Sequence, residues 1–313
     1  MDPAWLIPKA RVLMRMSRVD EALRLHRQML ELDPGDPLVI AFAVQHLVLA
    51  RQPAEALRVA DLAAGQFPET HRETRGFILL SFTGNLEGWR DKLELCSDES
   101  KTAEIAGNPE RVWECFQLDR YAHRYGDLSR IVRQASSAPV AYGLITDPFE
   151  LYDNGDLGTV PGVGELKGWA ALLVGDRASA ERAGRELLEF LRTKPRTSRN
   201  EFFVRRLEAE GQLFDGLNAQ AIQAAKASLA LVSRQRDAVS WVGAAMTTAR
   251  IYAWAGAAQD CDALLDQLSA AVPGLPPAVV TRDPLFAVPL ANDAGYRAIT
   301  ARLEAQIGAM NLH

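Results

Sequence analysis

Cysteine is scarce in this chain, aromatic residues make up only 7% of it, the charge is nearly balanced and no apolar run is long. Each shortage closes off a class of protein. The three cysteines, Cys96, Cys115 and Cys261, form an odd, widely spaced set without a CxxC pair, so buried free thiols are expected rather than a disulfide framework or a zinc site. A formal charge of -5, from 35 Lys+Arg against 40 Asp+Glu, offers no basic footprint for nucleic acid or anionic lipid. The longest apolar region, "PLVIAFAVQHLVLA", is broken by Gln45 and His46 and falls short of the roughly 20 residues of a membrane helix. "MDPAWLIPKARVLMRM" at the start has an acid at position two, a proline in its short apolar section and no small-residue cleavage site. No secretory signal is expected from it, and the expected compartment is the cytoplasm. What is present, 48% hydrophobic residues over 313 positions, is enough to bury a sizeable core in a folded, soluble protein.

Motifs that would announce chemistry are also missing. "TVPGVGELKG" (159–168) invites comparison with a phosphate loop, but Lys167 precedes Gly168 with no hydroxyl after it, and Lys167 stands where GxGxxG needs its third glycine. "DPFELYDNGD" (147–156) carries oxygens without the alternate spacing of a calcium loop, and reads better as a capped turn. His26, His46, His71, His123 and His313 show no HExxH or HxxxH spacing. Cys115 and His123 are two helical turns apart, about 12 Å along an axis, too far to form a dyad on one helix. No cofactor or metal is expected.

The positive signal is a repeat. "DEALRLHRQMLELDPGDP" (20–37) and "AEALRVADLAAGQFPET" (54–70) align without gaps at an offset of 34 residues, each with Glu-Ala-Leu-Arg and a closing proline, Pro34 and Pro68. Alanine at Ala22 and Ala56 lets two helix backbones approach, and proline cannot continue a helix. Asp36 and Pro37 suit the start of a further helix. Looser copies follow around Gly175-Asp176 with Ala180, Asp215-Gly216 with Ala221, and Ala255-Gly256 with Cys261 and Pro273. Turns near Gly84-Asn85 and Gly126-Asp127 join two more helix pairs, making about seven hairpins.

That period and those small residues resemble the tetratricopeptide (TPR) repeat, in degenerate form, since Leu6, Ala10, Leu13 and Ile40, Val44, Leu47 replace the family's usual first-helix residues. "TRDPLFAVPLANDAGYRAITARLEAQIG" is similar to the terminal segment of bacterial tetratricopeptide-containing proteins and is expected to cap the array. The resemblance implies an all-α solenoid: TPR-like helical repeats over 1–138, an irregular connecting segment at 139–168, and TPR-like repeats with the cap over 169–313. Pro139, Pro148 and Pro161 leave open one continuous superhelix or two stacks.

The resemblance also implies that the first helix of each hairpin lines a concave groove. The repeat register puts Arg72, Arg75 and Leu79 there, then Trp113, Phe116, Arg120 and Arg124, then Glu165 and Trp169, Phe203, Arg206 and Glu210, and Met246, Arg250 and Trp254. Aromatics and arginines dominate, the types enriched at binding hot spots. Ile7, Arg11, Ala41 and Gln45 stand where the family's clamp for a peptide carboxylate has lysines and asparagines, so chaperone-tail binding is not expected, although the arginines suit an acidic peptide. The expected function is a non-catalytic scaffold or adaptor that takes a protein or peptide partner in the groove, with no nucleic acid and no membrane. The alternative is an enzyme or small-molecule sensor whose central segment acts as a lid. "TVPGVGELKG" itself is expected to be the joint that feeds the second half.

Overall fold

The computed structural model describes residues 5–135, 162–193, 196–198 and 201–310. The first half contains α1 (Leu6–Arg15), α2 (Val19–Leu32), α3 (Pro37–Leu49), α4 (Pro53–Ala60), α5 (Pro68–Thr83), α6 (Arg90–Ser97), α7 (Thr102–Ala106), α8 (Pro109–Tyr121) and α9 (Tyr125–Gln134). The second contains α10 (Gly162–Leu173), α11 (Arg177–Arg192), α12 (Glu201–Phe214), α13 (Asn218–Ala230), α14 (Ala238–Ala255), α15 (Ala258–Ala270), α16 (Pro277–Arg282), α17 (Pro284–Ala287) and α18 (Ala294–Ala309). No strand occurs among the described residues. The fold is an all-α solenoid of TPR-like hairpins.

Local chemistry sets the hairpins. Asp36 caps α3 by accepting from the Leu38 and Val39 N–H groups, and Asp176, Asp237 and Asp293 cap α11, α14 and α18 in the same way. Each regular turn passes through a left-handed residue: Ser17 and Arg51 in the two specific repeats, then His123, Gly175, Gly216 and Gly256. The alanines expected at the helix crossings, Ala22, Ala56, Ala180 and Ala221, are fully buried, and so is Cys261. Inner helices pack on one another, α8 on α10, α10 on α12 and α12 on α14, while α11 and α13 each sit against the inner helices that flank them.

Several expectations need correction. The turn placed at Gly126-Asp127 lies at His123, whose N–H bonds back to Arg120 O, and Gly126 is inside α9. Pro68 does not stop a helix but opens α5, because a first-turn proline has no N–H to lose. The 147–156 acids, His313 and most of 139–168 lie outside the described residues. From Gly162 onward the supposed joint is helical, the start of α10. Gly168 is needed there for close approach, since a Cβ would lie 2.2 Å from the Phe214 ring of α12. The array is continuous at this point, with α10 packed on both α8 and α9.

The two ends of the solenoid meet. On α1, Arg15 pairs with Asp237 at 3.0 Å and donates to Ser240 Oγ at 3.0 Å, and α1 packs on α14. Arg51 donates to the carbonyls of Leu268 and Ser269, and the Gly274 N–H donates to Leu49 O. The C-terminal segment does more than cap. While α18 covers α15, α16 packs against α5 and α17 against α14, so the segment reaches back to helices of both halves.

Cys96 of α6 and Cys115 of α8 are joined in a buried disulfide, Cα–Cα 5.5 Å, against the expectation of free thiols. A 19-residue separation carries no signal in sequence; the pair meets because α6 folds back onto α8. Cys261 is free and buried, and burial raises its thiol above the usual cysteine range. Removing the bridge by Cys96→Ala with Cys115→Ala is expected to lower stability by about 3 kcal/mol for a loop of this size. Urea unfolding with and without reductant measures this, and coincident curves would count against a bridge that constrains the fold.

Candidate functional site

The inner helices carry charged side chains that have no business in an apolar core unless they are paired. The first cluster centres on Asp283, fully buried at the N-terminus of α17. Its Oδ2 accepts from Arg250 Nε at 3.1 Å and Nη2 at 2.8 Å, and its Oδ1 accepts from the Leu285 N–H at 3.0 Å and lies 3.6 Å from Arg120 Nε. Arg120 also donates to Gln117 Oε1 and lies against the rings of Phe116 and Tyr121. Arg250 lies over Phe286. Burial would raise the Asp283 carboxyl, but Arg120, Arg250 and the Leu285 N–H outweigh it and hold the group below the ordinary aspartate range. Three elements distant in sequence, α8, α14 and the start of α17, are thereby tied at one carboxylate.

The second cluster joins α10 to α12. Glu165 accepts from Arg206 through both oxygens at 3.0 and 3.3 Å, Glu210 lies 3.8 Å from the same guanidinium, and the Trp169 Nε1–H donates to Glu210 at 3.3 Å. Burial, then the charge of Glu165, pushes Glu210 well above the usual glutamate range, and Arg206 only partly offsets this. Arg206 is thus shared between two acids, bidentate to Glu165 and farther from Glu210. Trp169 meets Phe214 edge to face, which fixes its indole.

The residues assigned to the groove divide into three groups. Trp113, Phe116, Phe203 and Met246 are buried in the core, with Met246 fully enclosed. Arg120, Arg206 and Arg250 are on the inner helices as expected, but each is engaged by a carboxylate of this chain rather than presented to an acidic peptide. Trp169 is tied to Glu210, and Trp254, half-buried, donates to Leu285 O at 2.9 Å. Arg72, Arg75 and Arg124 leave the inner wall: Arg72 pairs with Asp91, Arg75 with Asp61, and Arg124 donates to Leu93 O and Ser97 Oγ. Arg72 and Arg75 belong to α5, whose unit is irregular, with Gly76 pressed against Trp89, and Arg124 lies past the end of α8 as the cap residue of α9.

Two further buried groups escaped the sequence reading of the site. Asp119 is fully buried with neither carboxylate oxygen hydrogen-bonded; burial, then Asp127, raises it to about 7 against the opposing pull of Arg124 and Arg130. His26 and His46 touch through Nε2 and Nδ1 at 2.6 Å, and burial lowers them to about 4 and about 3. Both rings are neutral at pH 7. The sequence signal for the pair is their place on α2 and α3, adjacent helices of the specific repeats. No group of three or more metal-ligating residues is assembled among the described residues.

No family model matches the chain, and no curated protein matches it. Among solved structures, the C-terminal part of a TPR repeat-containing protein from Cytophaga hutchinsonii is similar over 94% of this chain and 98% of that chain, at 9% identity and a TM-score of 0.35. So low a score adds nothing to the fold. The TPR-like reading rests on the hairpins themselves.

Asp283→Ala would leave two buried guanidiniums without their carboxylate and is expected to cost about 3–5 kcal/mol. The neighbouring exposed pair is a control: Arg282→Gln, which loses Glu304, should cost less than about 1 kcal/mol. Equal costs in denaturant titration would contradict the central role of Asp283. Asp119 gives a pH signature. The folded chain holds its proton up to about pH 7 and the unfolded chain releases it near 4, so this group's contribution to stability is full below pH 4 and lost as pH rises to 7. The histidine pair works the other way, its contribution being full above pH 6.5 and lost as pH falls. Asp119→Asn should match the wild type at pH 4 and exceed it at pH 8 by on the order of 2–4 kcal/mol. Parallel stability curves for the two proteins would exclude the raised carboxyl.

Proposed function

We propose that the chain is a non-catalytic scaffold or adaptor that binds a segment of a partner protein along the inner edge of its solenoid. One observation carries this reading: four successive inner helices, α8, α10, α12 and α14, stack with buried aromatic and arginine side chains behind them, and leave Tyr121 and Trp254 as half-buried aromatics at the edge of that stack. The carboxylates that hold the arginines make the wall rigid, and a rigid wall costs less to occupy than a mobile one. The accessible part is its rim, where Tyr121 and Trp254 are half-buried. A partner that lies on this rim meets aromatic faces first and polar groups second. Neither nucleic acid nor membrane fits the proposal, and among the described residues no helix is long and apolar enough to cross a bilayer. The cytoplasmic expectation stays part of the proposal with one observation against it, the Cys96–Cys115 bridge, since such bonds persist in oxidising compartments.

A second reading, an enzyme or small-molecule sensor, is favoured by Glu210, a buried carboxyl pushed well above the usual glutamate range beside Glu165 and Arg206. Its lid would be the central segment, which lies outside the described residues. Photo-crosslinking separates the two. A benzophenone amino acid placed at Tyr121 or Trp254 is expected to capture a common protein partner from lysate, while the same probe at Glu189, exposed on the outer helix α11, captures none of it. Equal capture from inner and outer positions, or a stoichiometric small molecule in the purified protein without protein capture, would overturn the scaffold reading.

A further inference from the structure

Away from the inner wall, α9, α10 and α11 enclose a cleft of about 190 Å³. Three cations enter it from three different helices: Arg133 from α9, Lys167 from α10 and Arg182 from α11. Two of them are aimed by hydrogen bonds. Arg133 Nε donates to Ser129 O at 3.2 Å, and Arg182 Nη2 donates to Ser179 Oγ at 3.0 Å. Lys167 is half-buried between them. Arg182 and Arg133 act on Asp176 only from farther off, and among the described residues none of the three forms a close ion pair with a carboxylate. Their neighbours on the same helices do: Arg130 pairs with Asp127 at 2.9 Å and Arg185 with Asp215 at 3.1 Å.

Two acids share the cleft, and they are not equivalent. Asp176 is engaged as the cap of α11, accepting from the Ser179 N–H at 3.0 Å. Glu186 stands exposed at the mouth. The cations outnumber the acids by three to two; Asp176 keeps its charge while capping α11 and is acted on by Arg182 and Arg133, which leaves an excess of one positive charge. Opposite charges at contact distance attract strongly where water is partly excluded.

We propose that this cleft is a binding site for a compact polyanion of the phosphate or diphosphate class. Its volume lies below the roughly 300–1,000 Å³ typical of sites for larger organic ligands, which favours a small, highly charged occupant. Two guanidinium forks offer paired donors to phosphate oxygens, and the ammonium between them adds a point charge. The site also gives Lys167 a function that the phosphate-loop comparison did not. The anion is held by side chains from three helices and not by the N–H groups of a glycine loop. It is separate from the inner wall, so it stands or falls without the scaffold reading.

Calorimetric titration of the full chain with pyrophosphate, at ionic strength held constant with chloride, tests the proposal. Saturable one-site binding is expected. Lys167→Gln, Arg133→Gln and Arg182→Gln should each weaken it about tenfold. Glu186→Gln, which removes a repulsive charge, should tighten it about two- to fivefold. Arg58→Gln, an exposed arginine far from the cleft in sequence and paired with Glu55, should leave it unchanged. Arg133 and Arg182 are exposed, so their variants report on binding even if Lys167→Gln unfolds, and thermal melting identifies any variant that does. No saturable heat with wild-type protein overturns the proposal. So does an equal loss in Arg58→Gln, or citrate binding more tightly than pyrophosphate through the same residues.

Discussion

A buried carboxylate between two arginines is tolerable only while all three remain together, and Asp283 places that condition on parts of the chain that are far apart. Arg120 lies on α8, Arg250 on α14, and Asp283 at the start of α17. The helical units of a solenoid would otherwise fix only their own neighbours. One carboxylate makes their curvature a shared property, because α8 and α14 must both reach the point where α17 begins. The contacts of Arg15 with Asp237 and of Arg51 with the end of α15 then join the first hairpins to the last.

This constraint changes what the inner surface is for. Arginines read as an open receptor for acidic peptides are engaged inside the molecule: Arg120 and Arg250 by Asp283, Arg206 by Glu165 with Glu210 close by. What they confer is rigidity and a fixed presentation of the aromatic rim. Burial holds the Glu210 carboxyl in that wall well above the usual glutamate range, while Asp119 and the His26–His46 pair make stability respond to pH in opposite senses. The cleft on α9–α11 differs in kind, since its Arg133 and Arg182 are exposed and its Lys167 is only half-buried.

Much of the fold was legible because it is local. A period of 34 residues, alanines at helix crossings and Asp or Gly at turns are all short-range signals, and the structure places Ala22, Ala56, Ala180 and Ala221 where two helices meet. Trp169, Arg206 and Arg250 lie on α10, α12 and α14, the helices that the same periodicity marks as the first of each hairpin. What was not legible depends on three-dimensional closure. Nothing near Asp283 in sequence says that Arg120 is its partner 163 positions earlier, and Cys96 with Cys115 carries no motif. The phase of Arg72 and Arg75 failed because the α5 unit departs from the repeat, a departure that shows only once Gly76 is seen against Trp89.

The central claim is a solenoid closed on itself, with Asp283 inside it and the α1–α14 contact as its seam. Spin labels at Val12 on α1 and at Arg236, just before α14, report that seam directly by double electron–electron resonance. The expected result is one narrow distribution at short distance in the wild type, broadened and lengthened by Asp283→Ala. A broad or long distribution in the wild type, or a narrow one that Asp283→Ala leaves untouched, would contradict it.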